Sequence, residues 1–223
     1  MNDKKKKVTQ RQRKKRVEHQ MTKRHKKKSI TTKKKKQKVQ KQFLNFTIEM
    51  IGTLVVFTVL VWIVSLFLFS LPKVTGYGMS PTLEHNERVF VNKKGKITRF
   101  SLVYMNVPNK ENEQTIRRVI GLPGEEVRYK NDQLWIDNKE INERFLIEKK
   151  QEAAQNNELF TEDFSSAHLS TEGTSRIPKG KVLVLGDNRS YASDSRFYGY
   201  VDEQDILGTV TMRLLPIHKL TSF

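Results

Sequence analysis

The hydrophobic pattern divides the chain into one long apolar run and a region of short alternating segments. Residues 51–71 form an unbroken stretch of 21 residues without a charged side chain. About 20 apolar residues, at 1.5 Å each, cross a hydrocarbon core of roughly 30 Å. The flank Pro72-Lys73-Val74 lacks the small residues of a signal-peptide cleavage site. We therefore predict one transmembrane helix within residues 43–73.

The region after the apolar run alternates polar and apolar residues with period 2, which is typical of β-strands. The strands are predicted at residues 88–92, 101–105, 115–120, 181–185 and 206–213. We also predict a hairpin at residues 129–138. Residues 148–175 are predicted to form a long loop or a lightly structured insertion. The sequence therefore predicts a mainly β domain at residues 74–223, a twisted and partly closed sheet with a smaller β appendage at residues 128–180.

The positive charge of the chain is concentrated at its N-terminus. The whole chain has a net charge of +18, and residues 1–42 hold 20 Lys and Arg but only two acids, Asp3 and Glu18. The remaining residues hold 22 of each sign. So polar a segment cannot bury enough apolar surface to offset its ordering entropy, and we predict a disordered basic tail at residues 1–42. The positive-inside rule then predicts a cytoplasmic N-terminus and an extracytoplasmic C-terminal domain.

Three interpretations of the basic tail stay open. The first is a solvated segment that only sets the topology of the protein, and we favour it. The second is attachment to anionic membrane lipid, which contributes about 1 kcal/mol per basic residue near the surface. The third is nucleic-acid binding, which is the weakest because residues 1–42 contain no aromatic side chain to stack on bases.

Residue types that hold metals and cofactors are scarce in this chain. There is no cysteine, which excludes disulfides and thiolate metal sites. The five histidines lack metal-ligand spacing, and no glycine-rich phosphate loop follows a predicted strand. We therefore predict neither a metal nor a cofactor. A domain outside the membrane without disulfides is common in Gram-positive bacteria.

Four segments in a fixed order follow the apolar run. They are Gly76-Tyr-Gly-Met-Ser-Pro-Thr-Leu83, Glu87-Arg-Val-Phe-Val-Asn-Lys93, Arg117-Arg-Val-Ile-Gly-Leu-Pro-Gly-Glu125 and Leu185-Gly-Asp-Asn-Arg-Ser-Tyr-Ala-Ser-Asp-Ser-Arg196. Together they resemble the type I signal peptidases, the membrane-bound serine proteases that remove signal peptides from exported proteins. The resemblance extends from the apolar run to about Pro216. The single span before these segments is the arrangement of the Gram-positive members of that family. It implies a mostly antiparallel β fold with a catalytic core and a smaller cap region.

The resemblance also implies a Ser–Lys dyad, in which the lysine takes the proton of the serine hydroxyl. A lysine can be that base only if burial depresses its pKa towards neutrality. In this chain the nucleophile position is Gly78 and the base position is Arg117, which stays protonated at physiological pH. The inner serine that helps to hold the lysine ammonium is replaced by Ala192. Nucleophile, base and the support of the base are all absent.

The resemblance assigns roles to two further groups of residues. The apolar residues that would line the pockets for small side chains at the cleavage site are Val74, Met79, Leu83 and Ile116. Apolar residues on strands are equally expected in a plain core. The residues that would form a hydrogen-bonded ion-pair cluster bracing the site are Asp187, Arg189, Asp194 and Arg196.

Two interpretations of function stay open. The first is a non-catalytic protein that binds signal peptides or exported polypeptides, and that assists an active signal peptidase or a surface-assembly machine. The second is an active signal peptidase with a displaced nucleophile such as Ser80. In an extended segment Ser80 would face the same side as Gly78, but about 6.6 Å away. The residues at positions 78, 117 and 192 favour the first interpretation, whereas the family resemblance favours the second.

Overall fold

The computed structural model describes residues 2–169 and 174–223, without the side chains of residues 2–20, 22–34 and 37. The helices are α1 (Asn2–Leu68), α2 (Ile147–Gln155) and α3 (Ser195–Tyr198). The strands are β1 (Phe69–Ser70), β2 (Arg88–Asn92), β3 (Leu102–Asn106), β4 (Gln114–Gly121), β5 (Val127–Lys130), β6 (Gln133–Ile136), β7 (Lys139–Ile141), β8 (Phe164–Ser165), β9 (Lys181–Leu185), β10 (Val201–Asp202), β11 (Ile206–Leu215) and β12 (Thr221–Ser222). The chain forms two compact units, Met1–Ile63 and Val64–Phe223.

Helix α1 contains the candidate membrane span. Its part Lys38–Leu68 is long and apolar enough to cross a bilayer, and it is the one such helix in the described part of the chain. The helix ends at Leu68 rather than at residue 73. The reason is that Phe69 and Ser70 leave the helix to pair with Asn92 and Val91 of β2.

Residues 2–42 also lie in α1, although the sequence analysis predicts a disordered tail there. The first glycine of the chain is Gly52 and the first proline is Pro72. Lys, Arg and Gln, which dominate this segment, are good helix formers. The composition of this segment therefore disfavours burial in a core, but it is compatible with a helix. The prediction of disorder considered burial alone, and for this reason it differs from the structure.

Two antiparallel sheets form the second unit, which confirms the predicted mainly β fold. The larger sheet has the strand order β1-β2-β11-β3-β4-β9-β10, and β12 pairs with β11. The smaller sheet has the order β7-β6-β5-β8 and forms the cap region. Every pairing between these strands is antiparallel.

Helix α2 lies in the segment that the sequence analysis predicts as a loop. None of its residues is fully buried, so it has no apolar stripe to reveal it. It forms because its sequence, IEKKQEAAQ, is rich in strong helix formers. Residues 170–173, which belong to the same predicted loop, lie outside the described residues.

Among the described residues, three clusters of buried side chains form the core. The first lies under the segment that follows the span and comprises Val74, Met79, Leu83, Val89, Val91, Leu102, Ile116 and Val210. The second joins the cap to the larger sheet and comprises Ile120, Val127, Tyr129, Leu134, Ile136, Ile177, Leu183 and Leu185. The third comprises Val103, Met105, Val119, Val182, Val184 and Val201. Strand β4 contributes to all three clusters, and Arg117 lies on this strand.

Candidate functional site

Gly78 and Arg117 are distant in sequence but adjacent in space. Gly78 begins the turn at residues 78–82, and Arg117 lies on β4 opposite Val103 of β3. A Cβ atom placed on Gly78 would stand 3.3 Å from the Nη2 atom of Arg117 and 3.4 Å from the Cβ atom of Ala192. The three positions assigned to the nucleophile, the base and its support therefore lie side by side.

Backbone contacts hold the loop at residues 186–193 against the turn that contains Gly78. The backbone N–H of Asn188 donates to the carbonyl oxygen of Gly78 at 3.0 Å, and its side-chain Nδ2 donates to the carbonyl oxygen of Tyr77 at 3.1 Å. A Cβ atom on Gly186 would stand 2.2 Å from the Cβ atom of Ala192 and 2.5 Å from the carbonyl oxygen of Gly78. This close approach requires glycine at position 186.

Replacing Gly186 by alanine is expected to lower the free energy of unfolding of the β domain by about 1–3 kcal/mol, the usual range for overpacking. Backbone atoms cannot move aside as a flexible side chain can, so the loop must shift. Chemical denaturation of the full chain in detergent measures the effect. Gly52→Ala is the control, because the added Cβ there meets no described atom within 4 Å outside its chain neighbours and the backbone of its own helix. Equal stability of the Gly186→Ala variant and the wild type would contradict the close packing.

The guanidinium of Arg117 is buried and bonded to neutral acceptors. Arg117 as a whole residue is 9% exposed. Nε donates to the carbonyl oxygen of Ser193 at 2.9 Å, and Nη1 donates to the Thr115 hydroxyl and the Ile116 carbonyl oxygen, both at 2.6 Å. Burial lowers the pKa of Arg117 from its ordinary value, and the neighbouring Tyr198 hydroxyl and the negative charge of Asp194 oppose this effect. An arginine remains protonated at neutral pH, so the group is a donor and not a general base.

Both carboxylates in the 185–196 segment form buried ion pairs. Asp194 accepts from the Arg196 guanidinium at 2.8 and 2.9 Å and from the backbone N–H of Gly186 at 3.0 Å. Asp187 accepts two bonds from Arg118, at 2.8 and 2.6 Å. Both aspartates are fully buried. They tie the loop to itself and to β4, next to Arg117.

Arg189 pairs with a carboxylate of the cap, Glu143, at 2.6 Å. Glu143 also accepts from the Tyr129 hydroxyl at 2.6 Å and from the Lys150 ammonium at 2.9 Å. Burial alone would raise the pKa of Glu143, but the positive charges of Arg189 and Lys150 bring it below its ordinary value. Sequence reasoning missed Glu143, because a single glutamate in a polar segment carries no motif. The cluster connects the loop at the site to the cap.

The segments that build this site belong to a known family. The family model for signal peptidases, peptidase S26, matches residues 47–215, which is well over half of the chain. The chain belongs to the S26 family of signal peptidases. This confirms the resemblance on which the site positions were assigned.

Signal peptidases from several bacteria are similar to this chain. Signal peptidase I V of Bacillus subtilis (strain 168) is 41% identical over 143 residues, which cover 62% of this chain and 82% of that protein. Signal peptidase IB of Staphylococcus aureus (strain Mu50 / ATCC 700699) is 36% identical over 176 residues, covering 76% of this chain and 90% of that protein. A crystal structure of a signal peptidase I from Enterococcus faecalis V583 is 34% identical, with a TM-score of 0.49, and covers 52% of this chain and 98% of that chain.

The four residues that the signal peptidase resemblance assigns to substrate pockets lie together. Val74, Met79, Leu83 and Ile116 all belong to the first core cluster. Each is at most 4% exposed. Their packing against one another supports the turn that contains Gly78. Contact of these residues with a substrate stays a prediction.

Ser80, the candidate for a displaced signal peptidase nucleophile, lies in a turn and not in an extended segment. Its backbone N–H donates to the carbonyl oxygen of Tyr77 at 3.1 Å. The period-2 argument that puts Ser80 and Gly78 on one side therefore does not apply. Ser80 lines a cavity of about 270 Å³ together with Lys149 and Asn188. Among the described residues, no lysine or histidine forms a hydrogen bond with the Ser80 hydroxyl.

Proposed function

We propose that this chain is a non-catalytic signal peptidase family protein that binds signal peptides or exported polypeptides. The juxtaposition of Gly78, Arg117 and Ala192 supports this proposal. Position 78 has no hydroxyl, position 117 carries a group that cannot accept a proton, and position 192 has no hydroxyl to hold a lysine. The site therefore lacks the nucleophile and the base that peptide-bond cleavage by a Ser–Lys dyad requires.

The parts of the site that would hold a polypeptide are intact. The turn at residues 78–82 and the loop at residues 186–193 are bonded to each other and rest on buried ion pairs. As a member of the signal peptidase family, the protein would meet exported preproteins that carry signal peptides. Loss of the dyad with retention of the scaffold favours binding without cleavage.

The proposed site of action is the outer face of the cytoplasmic membrane. Lys38–Leu68 would span the bilayer. The basic excess of residues 1–42 would keep the N-terminus in the cytoplasm, near anionic lipid. The β domain would then be extracytoplasmic, where it could pass a polypeptide to an active signal peptidase or to a surface-assembly machine.

The second candidate function is an active signal peptidase with Ser80 as its nucleophile. The observation that favours it is the cavity that Ser80 shares with Lys149, a possible base by residue type. However, the Lys149 ammonium pairs with Glu152 at 2.6 Å, and its side chain is 39% exposed. A lysine that acts as a base needs a desolvated environment to depress its pKa. The geometry therefore favours the non-catalytic function.

The purified full-length protein in detergent is expected to bind a fluorescently labelled preprotein and to leave it uncleaved. Anisotropy measures binding, and gel electrophoresis measures cleavage. Ser80→Ala is expected to change neither result. Cleavage by the wild type that Ser80→Ala abolishes would establish the displaced nucleophile instead. A wild type that neither binds nor cleaves would overturn the proposed binding function.

A further inference from the structure

A cleft separates helix α2 of the cap from the loop at residues 186–193. This cap cleft is the cavity of about 270 Å³ that Ser80 lines, and Lys149 and Ala153 of α2 belong to its lining. Residues four positions apart lie on one face of a helix, so α2 turns this face towards the cleft. No residue of α2 is fully buried, and the face is therefore open to another molecule.

The cap cleft begins next to the position of Gly78. Ser80, in its lining, is two residues after Gly78, so their Cα atoms are at most about 7 Å apart. Asn188 also lines the cleft, and its backbone N–H donates to the carbonyl oxygen of Gly78 at 3.0 Å. Tyr191, a third lining residue, directly precedes Ala192. An extended polypeptide that lies at Gly78 therefore reaches the cleft within about two residues, at about 3.3 Å each.

The lining of the cap cleft is mostly polar, and part of its hydrogen-bonding capacity is unused. In the part of the chain that the structure describes, no side-chain hydrogen bond or ion pair engages Asn156, Glu158 or Ser190. Lys149 and Glu152 also line the cleft and pair with each other at 2.6 Å. An apolar occupant would remove these groups from water without replacing their hydrogen bonds, which is costly. The cleft therefore suits a polar occupant with donors and acceptors of its own.

Each wall of the cap cleft also offers an aromatic ring. Phe160 from the cap is half-buried, whereas Tyr191 from the loop is 83% exposed. Tyrosine is enriched at protein interfaces, since its ring buries a large area and its hydroxyl can form a hydrogen bond. An extended polypeptide in the cleft would cover Tyr191 and pair its own backbone groups with the polar lining.

We propose that the cap cleft binds the polar segment that follows the signal peptide in an exported polypeptide. The inference rests on the proposed binding function and names the part of the polypeptide that the cleft holds. The apolar core of a signal peptide, about 7–15 residues long, does not suit the polar lining. The basic start of a signal peptide lies beyond that core, away from the cleavage site. The segment directly after the cleavage site is therefore the polar one within reach of the cleft.

Two fluorescently labelled peptides test this inference on the full chain in detergent. The first is a synthetic signal peptide that ends in Ala-Gln-Ala as a C-terminal amide. The second continues the same peptide by Ser-Gln-Ser-Thr-Asn-Gln, also as an amide, so that the two peptides carry the same charge. The extended peptide is expected to bind about tenfold more tightly to the wild type, the gain from one or two further hydrogen bonds. Anisotropy measures both affinities.

Substitutions in the cleft should remove this advantage. Ala153→Trp, which fills the cleft from α2, should reduce the advantage to less than about twofold. Ala154→Trp is the matched control, because Ala154 is the next residue of the same helix, is exposed and lies outside the lining. It should preserve the advantage. Tyr191→Ala should lower the advantage without adding bulk. Thermal unfolding checks that each variant is folded, and Tyr191→Ala decides the matter if Ala153→Trp unfolds.

The outcomes separate this inference from the proposed function. Equal binding of the two peptides to the wild type would overturn the role of the cap cleft but leave the binding function standing. Equal effects of the two tryptophan substitutions would overturn it as well, because only Ala153 lines the cleft. If neither peptide binds, both the inference and the proposed function fail.

Discussion

Replacing Arg189 by methionine is expected to lower the free energy of unfolding of the β domain by about 3–5 kcal/mol, the usual cost of removing one partner of a buried ion pair. Arg189 and Glu143 both have fully buried side chains, and they are 2.6 Å apart. The variant leaves the Glu143 carboxylate buried with only Lys150 as a cation. Because the pair joins the cap to the loop at the site, both should loosen together. Denaturant unfolding of the full chain in detergent, followed by tryptophan fluorescence, measures the loss.

The exposed pair of Lys110 and Glu113 is the matched control. Their atoms are 2.9 Å apart, but their side chains are 51% and 53% exposed. Lys110→Met should therefore cost less than about 1 kcal/mol, since water screens the pair. The double variant Arg189→Met, Glu143→Leu should recover part of the loss, because it leaves no uncompensated charge. Equal losses at the buried and exposed pairs would show that Arg189 does not hold the cap to the loop.

The triple variant Gly78→Ser, Arg117→Lys, Ala192→Ser is expected to cleave a preprotein at a rate at least about 100-fold above the background rate measured with the inactive wild type. General acid–base catalysis alone contributes roughly 10²- to 10⁴-fold. The shorter lysine side chain removes the Cζ and Nη2 atoms that lie 3.4 and 3.3 Å from a Cβ atom at position 78, which makes room for the serine. Burial at position 117 should depress the pKa of the new lysine, as a base requires. Time courses of product formation in detergent measure the rate.

The control for this variant carries alanine instead of serine at position 78, with the same lysine and serine at positions 117 and 192. It keeps the base and its support but has no nucleophile, so it should remain inactive. If the folded triple variant binds the preprotein and still does not cleave it, the protein lacks more of the catalytic machinery than the dyad. The proposal that only the dyad and its support are missing would then be wrong.

The strands and the apolar helix that is the candidate span were predictable because their signals are local. A strand with one buried face must alternate apolar and polar residues, as β2 does from Arg88 to Asn92. A membrane span must be uniformly apolar over about 20 residues. Helix α2 was missed because it lies on the surface and has no apolar stripe. The end of α1 was displaced because pairing of Phe69 and Ser70 with β2 competes with continuation of the helix.

The sequence by itself determined the family, the mainly β fold, the apolar helix and which residues stand at the positions that the resemblance assigns to the dyad, because residue types and short-range patterns suffice for these. Only the tertiary structure decided that Gly78, Arg117 and Ala192 meet, and that the partner of Arg189 is Glu143. It also decided that Arg117 is buried without a carboxylate beside it in the described part of the chain. These facts depend on contacts between residues 39 to 114 positions apart, which strand pairing and core packing set and which no local pattern encodes.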